Sequence, residues 1–270
     1  MGGLMEEYNV KFKKSLGQNF LNDARVVENI VKVANLKSDS LVIEVGPGGG
    51  TMTRELAKYA DWVLAYEVDE TLEDELDSRL GDLDNVTIKF VDFLNADLCN
   101  DISQYKTKDI YFVSNIPYYI TTPIVLKLLR SKVHFKKIVL MIQKEVGNRF
   151  AALPGSKKYG SISVFLQYYY SIKKEFYVPK EKFIPKPKVD SVVISLEEIK
   201  NKPKVNDLDF FEKIVRDSFR FKRKTIKNNL NNYDLKKVEE VLNKHNFNLT
   251  TRAEEIPVEV FVEISNELRP

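Results

Sequence analysis

Two stretches of this 270-residue chain carry residue types that could do chemistry: Glu44-Val45-Gly46-Pro47-Gly48-Gly49-Gly50 and Asn115-Ile116-Pro117-Tyr118. Glycines between a strand and a helix let the backbone approach a ligand closely. The spacing here is G-x-G-x-G. A dinucleotide fingerprint would need glycine at 51, where Thr51 stands, and the stretch has no phosphate-loop lysine. An acid ahead of the glycines suits a neutral-to-cationic nucleoside better than a pyrophosphate. Glu67, followed by Val68, ends the next strand, where a carboxylate can accept from both ribose hydroxyls. Asp92, followed by Phe93, ends the third strand and could take an adenine amino group. Acids at strand ends also cap the next helix, so each alone is ambiguous. Loop and acids in register imply S-adenosylmethionine, with Gly46, Gly48, Gly50, Glu67, Val68, Asp92 and Phe93 around it.

The second stretch suits methylation of an exocyclic amine. The lone pair of an adenine amine is delocalised into the ring. Two acceptors aimed at the amine hydrogens, the Asn115 side-chain oxygen and the Ile116 carbonyl, would favour a pyramidal nitrogen with its lone pair freed. Pro117 stiffens the turn, and Tyr118 offers a ring to stack on the base. Proximity and preorganised dipoles then do most of the work. Alone, the tetrad reads as an ordinary Asn-x-Pro turn; behind the glycine loop it reads as a site.

These groups need a scaffold, and the chain supplies one from Leu41 onward. Strand-like runs at Leu41–Val45, Trp62–Val68, Val86–Val91, Ile110–Val113 and Ile138–Ile142 alternate with helical spacing at Thr53–Tyr59, Thr71–Leu80 and Thr122–Leu129. That pattern predicts an α/β fold, Rossmann-like, with a mostly parallel sheet. Phe176–Val178 and Ser191–Leu196 predict an antiparallel hairpin at the sheet edge. Lys200–Asn206 reads as a linker. Beyond it, Leu208, Phe211, Val215 and Phe219 fall at helical spacing, as do Val238, Val241 and Leu242. The expected domains are therefore 1–200, α/β, and 201–270, small and all-α.

Composition excludes several classes. One cysteine, Cys99, makes no internal disulfide and no cysteine-rich zinc site, and two histidines make no multi-histidine metal site, so no metal is expected. No apolar run is long enough to span a membrane, and Met1–Phe12 has no signal-like apolar stretch; a soluble cytoplasmic protein is expected. Net charge is +3, but residues 1–110 carry 12 Lys+Arg against 21 Asp+Glu and residues 111–270 carry 30 against 18. The excess of cations in the second part suggests a polyanion partner. Its densest patch, Arg216 to Lys227, holds six cations and one acid; a solvated helix face is the plainer alternative.

The chain resembles the rRNA adenine N6,N6-dimethyltransferases, in particular their bacterial small-subunit type. The resemblance runs through Ser15-Leu-Gly-Gln-Asn-Phe-Leu21, the glycine loop, Asn115–Tyr118, Gln143-Lys-Glu145, Pro154-Gly-Ser156, Tyr159-Gly160, Phe183 to Ser191, Arg223-Lys-Thr225 and Arg252-Ala-Glu-Glu255. It departs at Leu16, where many relatives have an aromatic or basic residue, and at Gly49. The resemblance implies that Gln18, Asn19 and Leu21 cover the cofactor and that Asn115 is catalytic. It also implies that Phe183 forms the second face of a base sandwich with Tyr118, although a core phenylalanine is the other reading. The implied substrate is a pair of adjacent adenosines near the 3′ end of small-subunit rRNA, each dimethylated within a preassembled small subunit by a monomer. Arg220, Lys222, Arg223, Lys224 and Lys227 would grip the RNA backbone. A large-subunit, antibiotic-resistance type methyltransferase and a non-catalytic assembly factor are the rivals; a nicotinamide dehydrogenase is weakened by the missing third glycine.

Overall fold

A computed structural model describes residues 19–269. Contacts divide the chain into two compact units: the residues up to Gly147 with Lys173–Glu198, and Asn148–Ile172 with Ile199 onward. The expected boundary near 200 falls on one edge of this division, and the stretch 148–172 groups with the later helices.

The first unit is built on a seven-stranded sheet. Its strands are β2 (Ser40–Val45), β3 (Trp62–Glu67), β4 (Val86–Phe90), β5 (Asp109–Asn115), β6 (Phe135–Gln143), β7 (Tyr170–Val178) and β9 (Ser191–Glu198), in the order β4-β3-β2-β5-β6-β9-β7. A two-residue strand, β8 (Phe183–Ile184), lies outside this sheet and pairs with β1 (Phe20–Leu21). All pairings from β4 to β6 are parallel, and β9 is antiparallel to β6. Every residue of β2 is buried, as expected for a central strand covered on both faces. The connections run from β2 outward to β3 and β4, then return to β5 on its other side. That reversal makes the carboxyl ends of β2 and β5 the switch point where open α/β sheets bind ligands.

Helices α1 (Ala24–Ala34), α2 (Thr51–Ala57), α3 (Glu73–Leu80), α4 (Leu98–Ile102), α5 (Thr121–Arg130) and α6 (Lys144–Phe150) accompany the strands. Asp23 starts α1 by accepting from the Arg25 and Val26 amides, and Asn35, in the left-handed region, ends it. Val27, Ile30, Val31 and Ala34 form its buried stripe and join Val42, Val63, Val113, Val139 and Met141 of the sheet in one core. On α3, Leu72 ahead of the helix packs with Leu76 and Leu80 in a second core under β4.

The second unit is helical: α7 (Ser161–Tyr169), α8 (Leu208–Ser218), α9 (Ile226–Asn229), α10 (Leu235–Lys244) and α11 (Val258–Leu268). Aromatic rings knit it together. Phe211 meets Phe165 and Tyr168, and Phe219 meets Tyr159 and Phe261. Among the described residues no helix is long and apolar enough to cross a membrane.

Candidate active site

A cavity opens at the switch point. The loop after β2 forms one wall, the ends of β3 and β4 a second, the tetrad after β5 a third, and Asn19–Leu21 a cover. Gly46 and Gly48 both have positive φ, 71° and 56°. At Gly48 a side chain is also sterically barred, because a Cβ would stand 2.4 Å from the Phe20 ring. The glycine loop and the cover therefore fit each other through a missing side chain.

Glu67, only 5% exposed, holds the loop in place. Its Oε2 accepts from the Gly48 amide at 3.3 Å, and its Oε1 from the Val68 and Asp69 amides at 2.9 Å each. Burial raises its pKa, and these three amides pull against that rise. An ionised carboxylate has about four acceptor positions, so capacity remains for a ribose hydroxyl. Asp92 lines the cavity while its Oδ1 accepts from the Leu94 amide at 2.9 Å. It combines the two alternatives weighed for it: it caps the turn at 93–95 and still faces the ligand space.

Asn115 is the last residue of β5. Its side-chain amide nitrogen donates to the Asn19 carbonyl at 3.3 Å. Turning the amide over would set oxygen against oxygen, so this tether fixes the nitrogen toward the cover and leaves Oδ1 as the acceptor that can face a substrate. The Ile116 amide donates to Met141 O on the neighbouring strand, and the Pro117 carbonyl accepts from the Ile120 amide. The backbone of the tetrad is thus held from both sides. The Tyr118 hydroxyl shares a 2.6 Å hydrogen bond with the buried Ser191 hydroxyl, which pins the ring. Burial raises the Tyr118 pKa, so it stays a neutral phenol.

Comparison with known proteins decides what this arrangement belongs to. A family model described as ribosomal RNA adenine dimethylase matches residues 9–269. The chain belongs to this family. It is 40% identical to the ribosomal RNA small subunit methyltransferase A of Oceanobacillus iheyensis, over 97% of this chain and 92% of that one. The protein of the same name from Bacillus mycoides is 42% identical, with 98% and 94% covered. Among solved structures, a dimethyladenosine transferase from Plasmodium falciparum superposes with a TM-score of 0.77 at 25% identity, covering 91% of this chain and 95% of its own. The 23S rRNA methyltransferase ErmE gives 0.74 at 26%, with 93% and 100% covered. The α/β fold with its mostly parallel sheet is that of these methyltransferases.

A ribosomal RNA adenine dimethylase uses S-adenosylmethionine, and the cavity suits that molecule. The floor contains Glu44, fully buried, with neither carboxylate oxygen hydrogen-bonded. Burial pushes its pKa up to about 8, and the charge of Glu67 adds to the rise. A buried carboxyl without a partner awaits a cation or donors from a ligand. A sulfonium compound with an amino group brings both.

Most of the expected site residues line this cavity: Asn19, Leu21, Gly46, Gly48, Glu67, Val68, Asp92, Phe93 and Asn115–Tyr118. Gln18 lies outside the described residues. Gly50 does not line the dimethylase cavity. It is the N-cap of α2, and a Cβ there would meet Leu80; Gly49 and Thr51 take its place in the wall.

Phe183 is also elsewhere. It is 2% exposed and sits in the core with Val27 and Val178, the core reading weighed for it. Its backbone pairs with Leu21, the Asn22 amide donates to Lys182 O, and the Lys182 ammonium bonds Asp23 at 2.5 Å. In this structure the backbone of Phe183 anchors the cover, and its side chain is not among those that line the cavity.

Phe20 and Tyr119 are among the wall residues that sequence reasoning did not pick out. Phe20 seals the cover against Gly48, and the exposed Tyr119 lines the cavity next to Tyr118. The doubled tyrosine after Pro117 was the available signal. In the helical unit, Arg220, Lys222, Arg223, Lys224 and Lys227 are all exposed.

Proposed function

We propose that this chain transfers methyl groups from S-adenosylmethionine to N6 of two adjacent adenosines in the loop near the 3′ end of small-subunit rRNA, two methyls to each. The observation that carries this reading is the tethered Asn115. With its amide nitrogen held by Asn19, its oxygen is aimed before the substrate arrives, in the same cavity as Glu67 and the pinned Tyr118.

Glu67 would hold the ribose, Asp92 the adenine amine of the cofactor, and Glu44 the floor beneath its cationic groups. The cofactor supplies an electrophilic methyl. Asn115 Oδ1 and the Ile116 carbonyl would accept the two N6 hydrogens of the target base, bringing the nitrogen lone pair forward. The amine surrenders one proton to water for each methyl it gains, so no strong base is needed, and the neutral Tyr118 is not one. Tyr118, fixed by Ser191, would stack on the base after it leaves its own helix.

Residues up to about 200, apart from the stretch 148–172 that groups with the later helices, would be the methyltransferase part. The helical residues after them are the RNA-gripping part, through Arg220, Lys222, Arg223, Lys224 and Lys227. A preassembled small subunit in the cytoplasm would be the target of a single copy of the chain. The name that the relatives at 40–42% identity carry, ribosomal RNA small subunit methyltransferase A, supports the small-subunit substrate.

The test is transfer of labelled methyl to small subunits lacking the modification, with the products mapped. Dimethyladenosine at two adjacent positions is expected. Transfer to large-subunit rRNA instead would overturn the substrate. Cofactor binding with no transfer to either would overturn the enzyme reading of the tetrad.

A further inference from the structure

Two phenylalanines two residues apart are treated oppositely by the helical unit. Phe219 packs among Tyr159 and Phe261. Phe221 is 53% exposed. It sits at the centre of the loop between α8 and α9, flanked in sequence by Arg220, Lys222, Arg223 and Lys224. A single exposed apolar side chain is ordinary on a protein surface, but this one is held on a fixed backbone.

Asn229, 8% exposed, spends its side chain on the backbone of Phe221 and of Ser218. Its Oδ1 accepts from the Phe221 amide at 3.1 Å. Its Nδ2 donates to Phe221 O at 3.4 Å and to Ser218 O at 2.7 Å. The Lys224 amide donates to Phe221 O as well, at 2.8 Å. The Arg220 guanidinium lies 5.4 Å from the ring centroid. The loop's next residues are fastened too, since Thr225 bridges Arg252 and the Ile226 amide donates to Thr251 O. A buried amide has therefore fixed both backbone groups of an outward-facing aromatic residue in the middle of a cationic loop that contains no acid.

We propose that Phe221 is a stacking platform for an unpaired base of RNA, with Asn229 as the residue that positions it. This rests on the reading of the basic loop as an RNA contact and deepens it: the cations give attraction without regard to base pairing, while the ring selects nucleotides whose faces are open. The surroundings favour RNA over an apolar protein partner, because every ionisable side chain from Arg220 to Lys227 is a cation.

The test uses the full chain and two probes, a single-stranded RNA 12-mer and a blunt RNA duplex of the same composition. Phe221→Ala should weaken single-strand binding about tenfold, leave the salt slope unchanged and leave duplex binding unchanged. Phe221→Trp should restore single-strand binding. Trp62 is the chain's one tryptophan, so adding Phe221→Trp to a Trp62→Phe background gives a single reporter. Its fluorescence should be quenched by the single strand and not by the duplex. Equal loss for both probes in Phe221→Ala would mean that the ring only shapes the loop, and would overturn the platform. So would unchanged binding in Phe221→Ala while Arg223→Glu/Lys224→Glu weakens both probes. If that charge reversal weakens neither probe, the RNA reading of the loop fails and takes the platform with it. A gain in binding to a protein partner in place of RNA would overturn it too.

Discussion

The cavity at the switch point and the loop between α8 and α9 are both held by side chains that bind backbone, yet they use charge in opposite ways. In the cavity, the groups taken out of water are ionisable carboxyls. Glu44 and Glu67 are buried, their pKa values are raised, and three amides bind Glu67. In the loop, the side chain taken out of water is neutral Asn229, and the charges stand in solvent. Burial makes each interaction strong and particular, which suits one small ligand. Exposure keeps interactions weak, numerous and sensitive to salt, which suits a long polyanion. A single chain thus assigns selection and attraction to separate places.

The sharpest way to break this contrast is at Asn115. Asn115→Ala should lower turnover by about a hundredfold or more, with the cofactor dissociation constant changed by less than about threefold. Equal losses in both would make Asn115 a cofactor ligand only.

Glu44 comes next. Its folded pKa, about 8, lies above the ordinary carboxylate value of 4.5, so the empty folded protein holds a proton the unfolded chain releases across that window. The cofactor-free protein should therefore lose stability as pH rises from about 5 to 8, by roughly 3 kcal/mol from this group. Glu44→Gln should remove that slope. Denaturant unfolding of both proteins at pH 5 and pH 8 checks it, and parallel curves would mean Glu44 is ionised and partnered.

On the exposed side, Arg223→Glu/Lys224→Glu should weaken RNA binding about tenfold near physiological salt. It should also make the dependence of log affinity on log salt shallower by about 2. Phe183→Leu carries the smallest effect. As an anchor of the cover it should cost about 1 kcal/mol of stability with turnover at saturating substrate nearly kept. A large loss of turnover would return Phe183 to the base sandwich.

The cavity was legible because its parts are local. A glycine loop, two strand-end acids and a four-residue turn each announce themselves within a few positions, and the alternation of strands and helices brings their ends together. What joins them was not legible. The Asn115 tether spans 96 residues to Asn19, and the Tyr118 bond spans 73 residues to Ser191. No periodicity carries such information. The place of Phe183 was hidden for the same reason, since its surroundings are set by pairing with Leu21 and not by its proline-rich neighbours. Helix α7 was hidden by continuous apolar and aromatic residues, which show no amphipathic face when a helix is buried nearly all round. β6 starts at Phe135, ahead of the expected Ile138, because Lys136 and Lys137 mask a strand that pairs at its edges. Gly50 looked like its neighbours in the loop; its place as the N-cap of α2, beside Leu80, sets it apart from them.

The pairing of β1 with β8 also sets a timetable. The Lys182–Asp23 ion pair that locks the cover closes over 159 positions of chain. At about 5–20 residues per second, a chain emerging from the ribosome completes the glycine loop and the tetrad well before the strand that fastens Asn19 over them exists. The tether that aims Asn115 is among the last parts of the cavity to be secured. The growing chain therefore passes through an interval, roughly three to thirteen seconds by that rate for the residues between Tyr118 and Phe183, in which its cavity is built but uncovered.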